Sequence, residues 1–101
     1  SRVLIMTIYL QKFGTMLISR PAGREAWLAA QAYVLPKSTS EKIAIDFSGV
    51  EVLAPSWADE FITPLVERQG KENVEFQNTE NSSVKATLEL LFDYKTGAPP
   101  K

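Results

Sequence analysis

The sequence contains no cysteine and no histidine among its 101 residues. Without cysteine there is no disulfide and no thiolate metal site, although this alone leaves the cellular compartment open. Without histidine the chain lacks the commonest general base and the commonest metal ligand. We therefore expect a protein that is not an enzyme and that uses no cofactor and no metal ion.

The sequence also lacks a strong charge of either sign and a long hydrophobic run. Its formal net charge is -1. Proteins that bind nucleic acid usually carry a basic patch, so we expect no nucleic-acid partner. The longest apolar run covers residues 3–10, which is too short to span a bilayer, and it has no signal-peptide cleavage pattern. We expect a cytoplasmic protein without a membrane partner.

The composition is that of an ordinary small globular domain. Apolar residues make up 45% and charged residues 23% of the chain. A length of 101 residues is typical of a single domain. We predict one domain over residues 1–95 and a flexible tail over residues 96–101.

Strand signals and helix signals follow one another along the chain. Apolar runs predict strands at residues 3–9, 14–19, 42–47 and 73–77. The second of these could pair with the first as a hairpin, and residues 50–54 form a short apolar connector. Strands that alternate with single helices predict an α/β fold, here a small mixed sheet of four to five strands with three helices.

Apolar residues at helical spacing predict helices at residues 20–34, 56–69 and 84–94. Ser19 fits the N-cap of the first helix and Pro21 fits its first turn. Its packing face is predicted to contain Ala22, Ala26, Ala29, Ala30 and Tyr33. Gly70 ends the second helix, and Pro64 is expected to bend or break it.

The start of the second helix contains the main candidate site residues. Open α/β sheets bind ligands beyond the carboxyl ends of their strands, and this helix follows the strand that ends near Asp46. Ser56 fits the N-cap of a capping box, with Asp59 as the third helical residue. Alternatively, Ser56 is a phosphorylation site, since N–H groups at a helix start suit a phosphate. Asp59 and Glu60, in the same first turn, would repel that phosphate.

The acidic residues allow two further interpretations. Asp46 could join Asp59 and Glu60 around a cation such as Mg²⁺, although acidic residues at strand ends usually bond to local N–H groups. Arg20, at the start of the first helix, could instead pair with Asp59 or Glu60. Adjacent helix residues point about 100° apart, so Asp59 and Glu60 do not supply the facing pair that two-carboxylate catalysis needs.

Residues 43–61, with the sequence IAIDFSGVEVLAPSWADEF, resemble the STAS fold of bacterial anti-sigma-factor antagonists. They are more closely similar to a STAS-like domain family of unknown function. The matching positions are Asp46, Phe47, Val50, Ala58, Asp59 and Glu60. Residues 17–20 and 78–84 are also similar, so the resemblance spans about residues 12–92.

The resemblance implies a bacterial regulatory module that acts in signal transduction by binding a protein partner at residues 54–61. In antagonists, a partner kinase phosphorylates a serine of this loop, and that position falls on Ser56. We expect a kinase or regulatory factor to contact the helix start, through Arg20, Ser56, Trp57, Asp59 and Glu60.

Two alternatives stay open at this point. One is a domain or enzyme that binds a small polar ligand or a cation through Asp46, Asp59 and Glu60. The other is a homodimer, formed through the N-terminal strand or through the first helix around Trp27.

Overall fold

The computed structural model describes residues 5–38 and 41–92. Within these ranges the chain forms five strands and three helices. The strands are β1 (Ile5–Tyr9), β2 (Met16–Leu17), β3 (Lys42–Asp46), β4 (Val52–Leu53) and β5 (Val74–Gln77). The helices are α1 (Arg20–Tyr33), α2 (Pro55–Gln69) and α3 (Ser82–Phe92). Short 3-10 turns lie at Leu10–Phe13 and Lys71–Asn73.

The strands form two parallel sheets. The larger sheet has the order β1–β3–β5, and the smaller pairs β2 with β4. The central strand β3 buries Ile43, Ala44 and Ile45 completely, as expected for a parallel strand covered on both faces. The predicted α/β fold, with three helices and four to five strands, is confirmed, but the described strands form two parallel sheets rather than one mixed sheet.

The predicted hairpin between β1 and β2 is wrong. The 3-10 turn at Leu10–Phe13, followed by Gly14 with a φ of 126°, separates the two strands. β2 instead pairs in parallel with β4, with Met16 opposite Val52. β4 lies within the stretch predicted as a connector, because a two-residue strand is too short to show an alternating pattern.

Helices α1 and α2 pack very closely. Gly23, Ala26 and Ala30 are the buried residues of α1. A Cβ atom on Gly23 would lie 2.6 Å from the backbone oxygen of Trp57, so only glycine permits this approach. The packing face of α1 is therefore narrower than predicted, and Tyr33 is 88% exposed.

The core beneath this crossing is aromatic. Trp57 and Phe61 stack with their ring centres 5.0 Å apart, and Phe13 and Trp27 pack against the Phe61 ring. α2 continues without a break through Pro64 to its predicted end at Gly70. Buried apolar residues on both sides of the proline hold the helix in place.

Several predictions fall on residues outside the described ranges. These are the first part of the strand predicted at 3–9, the last part of the helix predicted at 84–94, the domain limit at 95 and the tail at 96–101. Among the described residues, no helix combines the length and hydrophobicity needed to cross a membrane.

Candidate functional site

An ion cluster joins the starts of α1 and α2. The Arg20 Nη1 atom donates to Asp59 Oδ2 at 3.0 Å and to Glu60 Oε2 at 2.7 Å. The predicted pairing of Arg20 is thus confirmed, and with both carboxylates at once. The three side chains remain partly open to solvent, with exposed fractions of 52% for Arg20, 43% for Asp59 and 23% for Glu60.

The close helix crossing positions this cluster. Arg20 lies three residues before Gly23 on α1, and Glu60 lies three residues after Trp57 on α2. Since Gly23 contacts the Trp57 backbone, the flanking charged residues are brought together. The hydroxyl of Thr63 donates to Asp59 Oδ1 at 3.1 Å and orients that carboxylate. Hydrogen bonds from the guanidinium to Glu60 and then to Asp59 raise the pKa of Arg20, so it stays charged.

Ser56 is not the N-cap of α2, so the capping-box interpretation is wrong. The helix begins at Pro55, and the cap position is Ala54, with φ -84° and ψ 147°. Proline at the first helical position places the following serine inside the helix. Asp59 and Glu60 consequently lie in the second turn, and the first turn of α2 carries no acidic residue. Ser56 itself is partly exposed.

Trp57 lies beneath the surface rather than on it. Its side chain is 2% exposed and belongs to the aromatic core. Among the five residues predicted to contact a partner, Arg20, Ser56, Asp59 and Glu60 reach the surface. The Trp57 backbone lies against Gly23, and this close approach of α1 and α2 positions the four surface residues.

Asp46 is buried and is bonded to residues outside the ion cluster. Its Oδ1 atom accepts the Ser48 N–H at 2.8 Å and the Asn78 side-chain N–H at 2.9 Å. Burial raises the pKa of this carboxyl, but the bonds from Ser48 and Asn78 outweigh burial and hold it below the ordinary value. Asn78 adopts a φ of 56°, which turns the chain after β5 and aims its amide at Asp46.

Asp46, Asp59 and Glu60 therefore do not form one cation site. The described residues contain no group of three or more acidic side chains that could hold a metal ion. Asp46 serves the local turn, as acidic residues at strand ends commonly do. The cation-binding alternative loses its predicted ligand set.

An exposed apolar strip that was not predicted from the sequence lies next to the start of α2. Met16 is 59% exposed and Ile18 is 47% exposed, whereas Leu17 between them is buried. The Leu17 oxygen accepts the Ala54 N–H at 2.8 Å, which ties this strip to the start of α2. The alternation of Met16, Leu17 and Ile18 was the available signal, but three consecutive apolar residues do not show which of them face solvent.

A groove lies away from these residues, at the edge of β5. It has a volume of about 810 Å³. It is lined by Val66, Lys71, Val74, Glu75, Phe76, Leu90, Leu91 and Phe92. None of the predicted site residues lines it.

Comparison with known proteins gives one relationship. A model of the family described as a STAS-like domain of unknown function (DUF4325) matches residues 32–84, slightly more than half of the chain. The match contains β3, β4, α2 and β5, and with them Asp46, Ser56, Asp59 and Glu60. No curated protein and no solved structure matches the chain. By this match, the chain belongs to the STAS-like domain family of unknown function.

Proposed function

We propose that this domain is a non-enzymatic regulatory module that docks a protein partner on the helix-start surface, which consists of Arg20, Ser56, Asp59 and Glu60. The observation that carries the proposal is the bridge from Arg20 to both carboxylates across two helices. These charged groups come from elements that are far apart in sequence, and they meet at one exposed place.

The energetics of the cluster favour a role at the surface. Ion pairs in contact with water contribute little to folding, because solvent and salt screen them. The helices beneath the cluster pack closely at Gly23, and side chains carried on well-packed helices form precise recognition surfaces. Two carboxylates oppose one guanidinium, so the cluster keeps an excess negative charge that attracts a basic group.

Regulation through Ser56 is a second part of the proposal. Alanine at position 54 has no side-chain oxygen to cap α2, and the first-turn N–H groups therefore suit a phosphate on the nearby serine. Such a phosphate would compete with Asp59 and Glu60 for Arg20. Phosphorylation by a kinase partner would then rearrange the ion cluster and alter docking. Ser56→Asp, compared with Ser56→Ala, should mimic the charged state, and mass spectrometry of the native protein should detect the phosphate.

Site-specific crosslinking tests the docking surface directly. A photoreactive amino acid at position 56 should crosslink a protein in the native cells, whereas the same group at exposed Glu67, further along α2, should not. Asp59→Asn combined with Glu60→Gln should reduce that crosslink, and Glu67→Gln should leave it unchanged. Equal crosslinking from positions 56 and 67 would contradict a specific surface. So would a thermal shift caused by a nucleotide or Mg²⁺ with no crosslinked protein, which would favour a ligand-binding domain.

A further inference from the structure

The two outer edges of the β2–β4 sheet differ. The edge of β4 is covered by side chains of α3, because the Ser83 hydroxyl accepts the Leu53 N–H at 2.9 Å and the Thr87 hydroxyl donates to the Leu53 oxygen at 2.6 Å. No described residue pairs with the outer edge of β2. Within residues 5–38 and 41–92, one edge of this small sheet is therefore covered and the other pairs with no strand.

The outer edge of β2 carries backbone groups that pair with no strand among the described residues. The oxygens of Thr15 and Leu17 accept N–H groups from Val52 and Ala54, so these two residues face β4. Backbone groups alternate in direction along a strand, which turns the N–H and C=O groups of Met16 and Ile18 outward. Unpaired groups of this kind are a template for an additional strand.

The side chains along this edge fit an extended segment. Met16 and Ile18 lie two residues apart on one face and are exposed. An added strand would place alternate side chains next to them, where apolar cross-strand pairs are favourable. Since Arg20 follows Ile18 by two residues, the edge leads directly to the ion cluster and its excess negative charge.

We propose that an extended segment of a partner protein pairs with the outer edge of β2 and places a lysine or arginine at Asp59 and Glu60. This inference rests on the proposed docking function and specifies its partner chemistry. The segment carries alternating apolar residues for Met16 and Ile18 and a basic residue near one end. Backbone pairing supplies affinity, and the basic residue sets the position of the segment along the edge.

A second copy of this chain fits the edge less well. Two-fold antiparallel pairing of two β2 edges centred on Leu17 would place Met16 of one copy opposite Ile18 of the other. Arg20 would then lie opposite Gly14, which has no side chain to meet the acidic cluster. The charge at the end of the edge therefore favours a different protein with a basic residue.

A library of random twelve-residue peptides displayed on phage tests this inference, with the full chain as bait. Enriched peptides should alternate apolar and polar residues and carry a lysine or arginine near one end. In complexes with a synthesised peptide, amide hydrogen exchange at Met16 and Ile18 should slow, since unpaired edge amides become hydrogen-bonded. Asp59→Asn should weaken the lysine peptide more than its lysine-to-glutamine version.

Two substitutions at one position separate backbone pairing from side-chain contact. Ile18→Pro removes the outward N–H, whereas Ile18→Ala removes the side chain and keeps that N–H. Ile18→Pro should bind the peptide roughly fivefold more weakly than Ile18→Ala, as expected for one lost hydrogen bond. If Ile18→Pro does not fold, amide exchange in the unsubstituted chain decides the question.

Other results would overturn the inference. These are a library without binders, enriched peptides without a basic residue, edge amides that stay unprotected, or equal binding by Ile18→Pro and Ile18→Ala. Dimerisation in light scattering, with Met16 and Ile18 amides protected before peptide is added, would assign the edge to a second copy. A retained crosslink at position 56 with unprotected edge amides would reject the edge and leave the docking function standing.

Discussion

The two helix starts that meet at the ion cluster are built from similar residues in a different order. α1 starts with the sequence Ser19-Arg20-Pro21, in which Ser19 is the cap and Arg20 is the first helical residue. The Ser19 hydroxyl accepts the Ala22 N–H at 3.2 Å. α2 starts with the sequence Ala54-Pro55-Ser56, in which Ala54 is the cap and Pro55 is the first helical residue. One start is closed by its own side chain, and the other leaves first-turn N–H groups available.

The position of serine relative to proline decides the difference. Ala54 has an extended backbone and lies outside α2, and Pro55 after it occupies the first helical position, where its missing N–H and fixed φ are tolerated. In α1 the proline comes second in the helix, and one residue separates it from the capping serine. In this chain the serine that precedes its proline is the cap, and the serine that follows its proline lies inside the helix. The start of α2 is also where the proposed docking surface lies.

Gly23→Ala should give the largest effect, because it forces apart the helices that bring the two starts together. The new Cβ would lie 2.6 Å from the Trp57 oxygen and 3.0 Å from the Trp57 Cα, both backbone atoms. We expect a loss of about 1–3 kcal/mol in the free energy of unfolding, despite the better helix propensity of alanine. Urea denaturation measures it, with exposed Arg24→Ala as control. An unchanged stability would show that the helices are not in close contact.

Asp46→Asn should have the next largest effect. It tests the carboxylate at the end of β3, which accepts hydrogen bonds from Ser48 and Asn78. The folded pKa of Asp46 lies below its ordinary value of 3.8. The carboxylate therefore stabilises the fold fully above about pH 5, and this contribution is lost as the pH falls through about 4 and below. We expect the substitution to cost about 1–2 kcal/mol near pH 7 and much less near pH 2.5. A cost independent of pH would contradict the role of the charge.

Ser19→Ala should remove the cap of α1 and destabilise the protein by about 1 kcal/mol. Thermal and urea unfolding measure the change, and Ser19→Asp should restore most of it because aspartate also caps well. If Ser19→Ala unfolds like the unsubstituted protein, the closed start of α1 contributes no stability and the contrast between the two helices disappears.

The long elements and the charged contact were predictable from sequence. The cap at Ser19, the buried run of β3 and the stop at Gly70 are local signals, and the structure agrees with them. The contact between Arg20 and α2 was predicted from opposite charges at two helix starts, since helix starts in an open α/β sheet lie near the strand ends. These predictions depend on spacing and chain direction, which sequence contains.

The remaining features depend on tertiary contacts. β2 and β4 are too short for periodicity, so their pairing follows from packing. Gly23 gives no local sign that another backbone lies against it. At the start of α2 the serine predicted a cap at position 56 and the proline fits the first helical position at 55. The helix begins at the proline. The exposure of Met16 and Ile18 depends on the pairing of β2 with β4, which decides which side chains of β2 face the core.

Ala54→Ser should close the open start of α2 and stabilise the protein by about 0.5–1 kcal/mol. Ala54 already has the extended backbone of a cap residue, so a hydroxyl there can accept a first-turn N–H without a change in conformation. Ala54→Cys, which is similar in size but a weak acceptor, is the matched control. Equal stabilities of the serine and cysteine variants would indicate that α2 gains nothing from a cap.

Ser56→Ala should change stability least, by no more than about 0.5 kcal/mol, because the serine is already inside the helix and is not the cap. The same serine-to-alanine change at Ser19 is its natural comparison, since only the position relative to proline differs. Urea unfolding of the two variants side by side separates the cap from the non-cap. If Ser56→Ala loses 1 kcal/mol or more, Ser56 caps α2 after all, and its hydroxyl is committed to the fold. If it loses no stability while changing the amount of partner recovered with the chain in a pull-down, the serine belongs to the surface, where it is free to be modified.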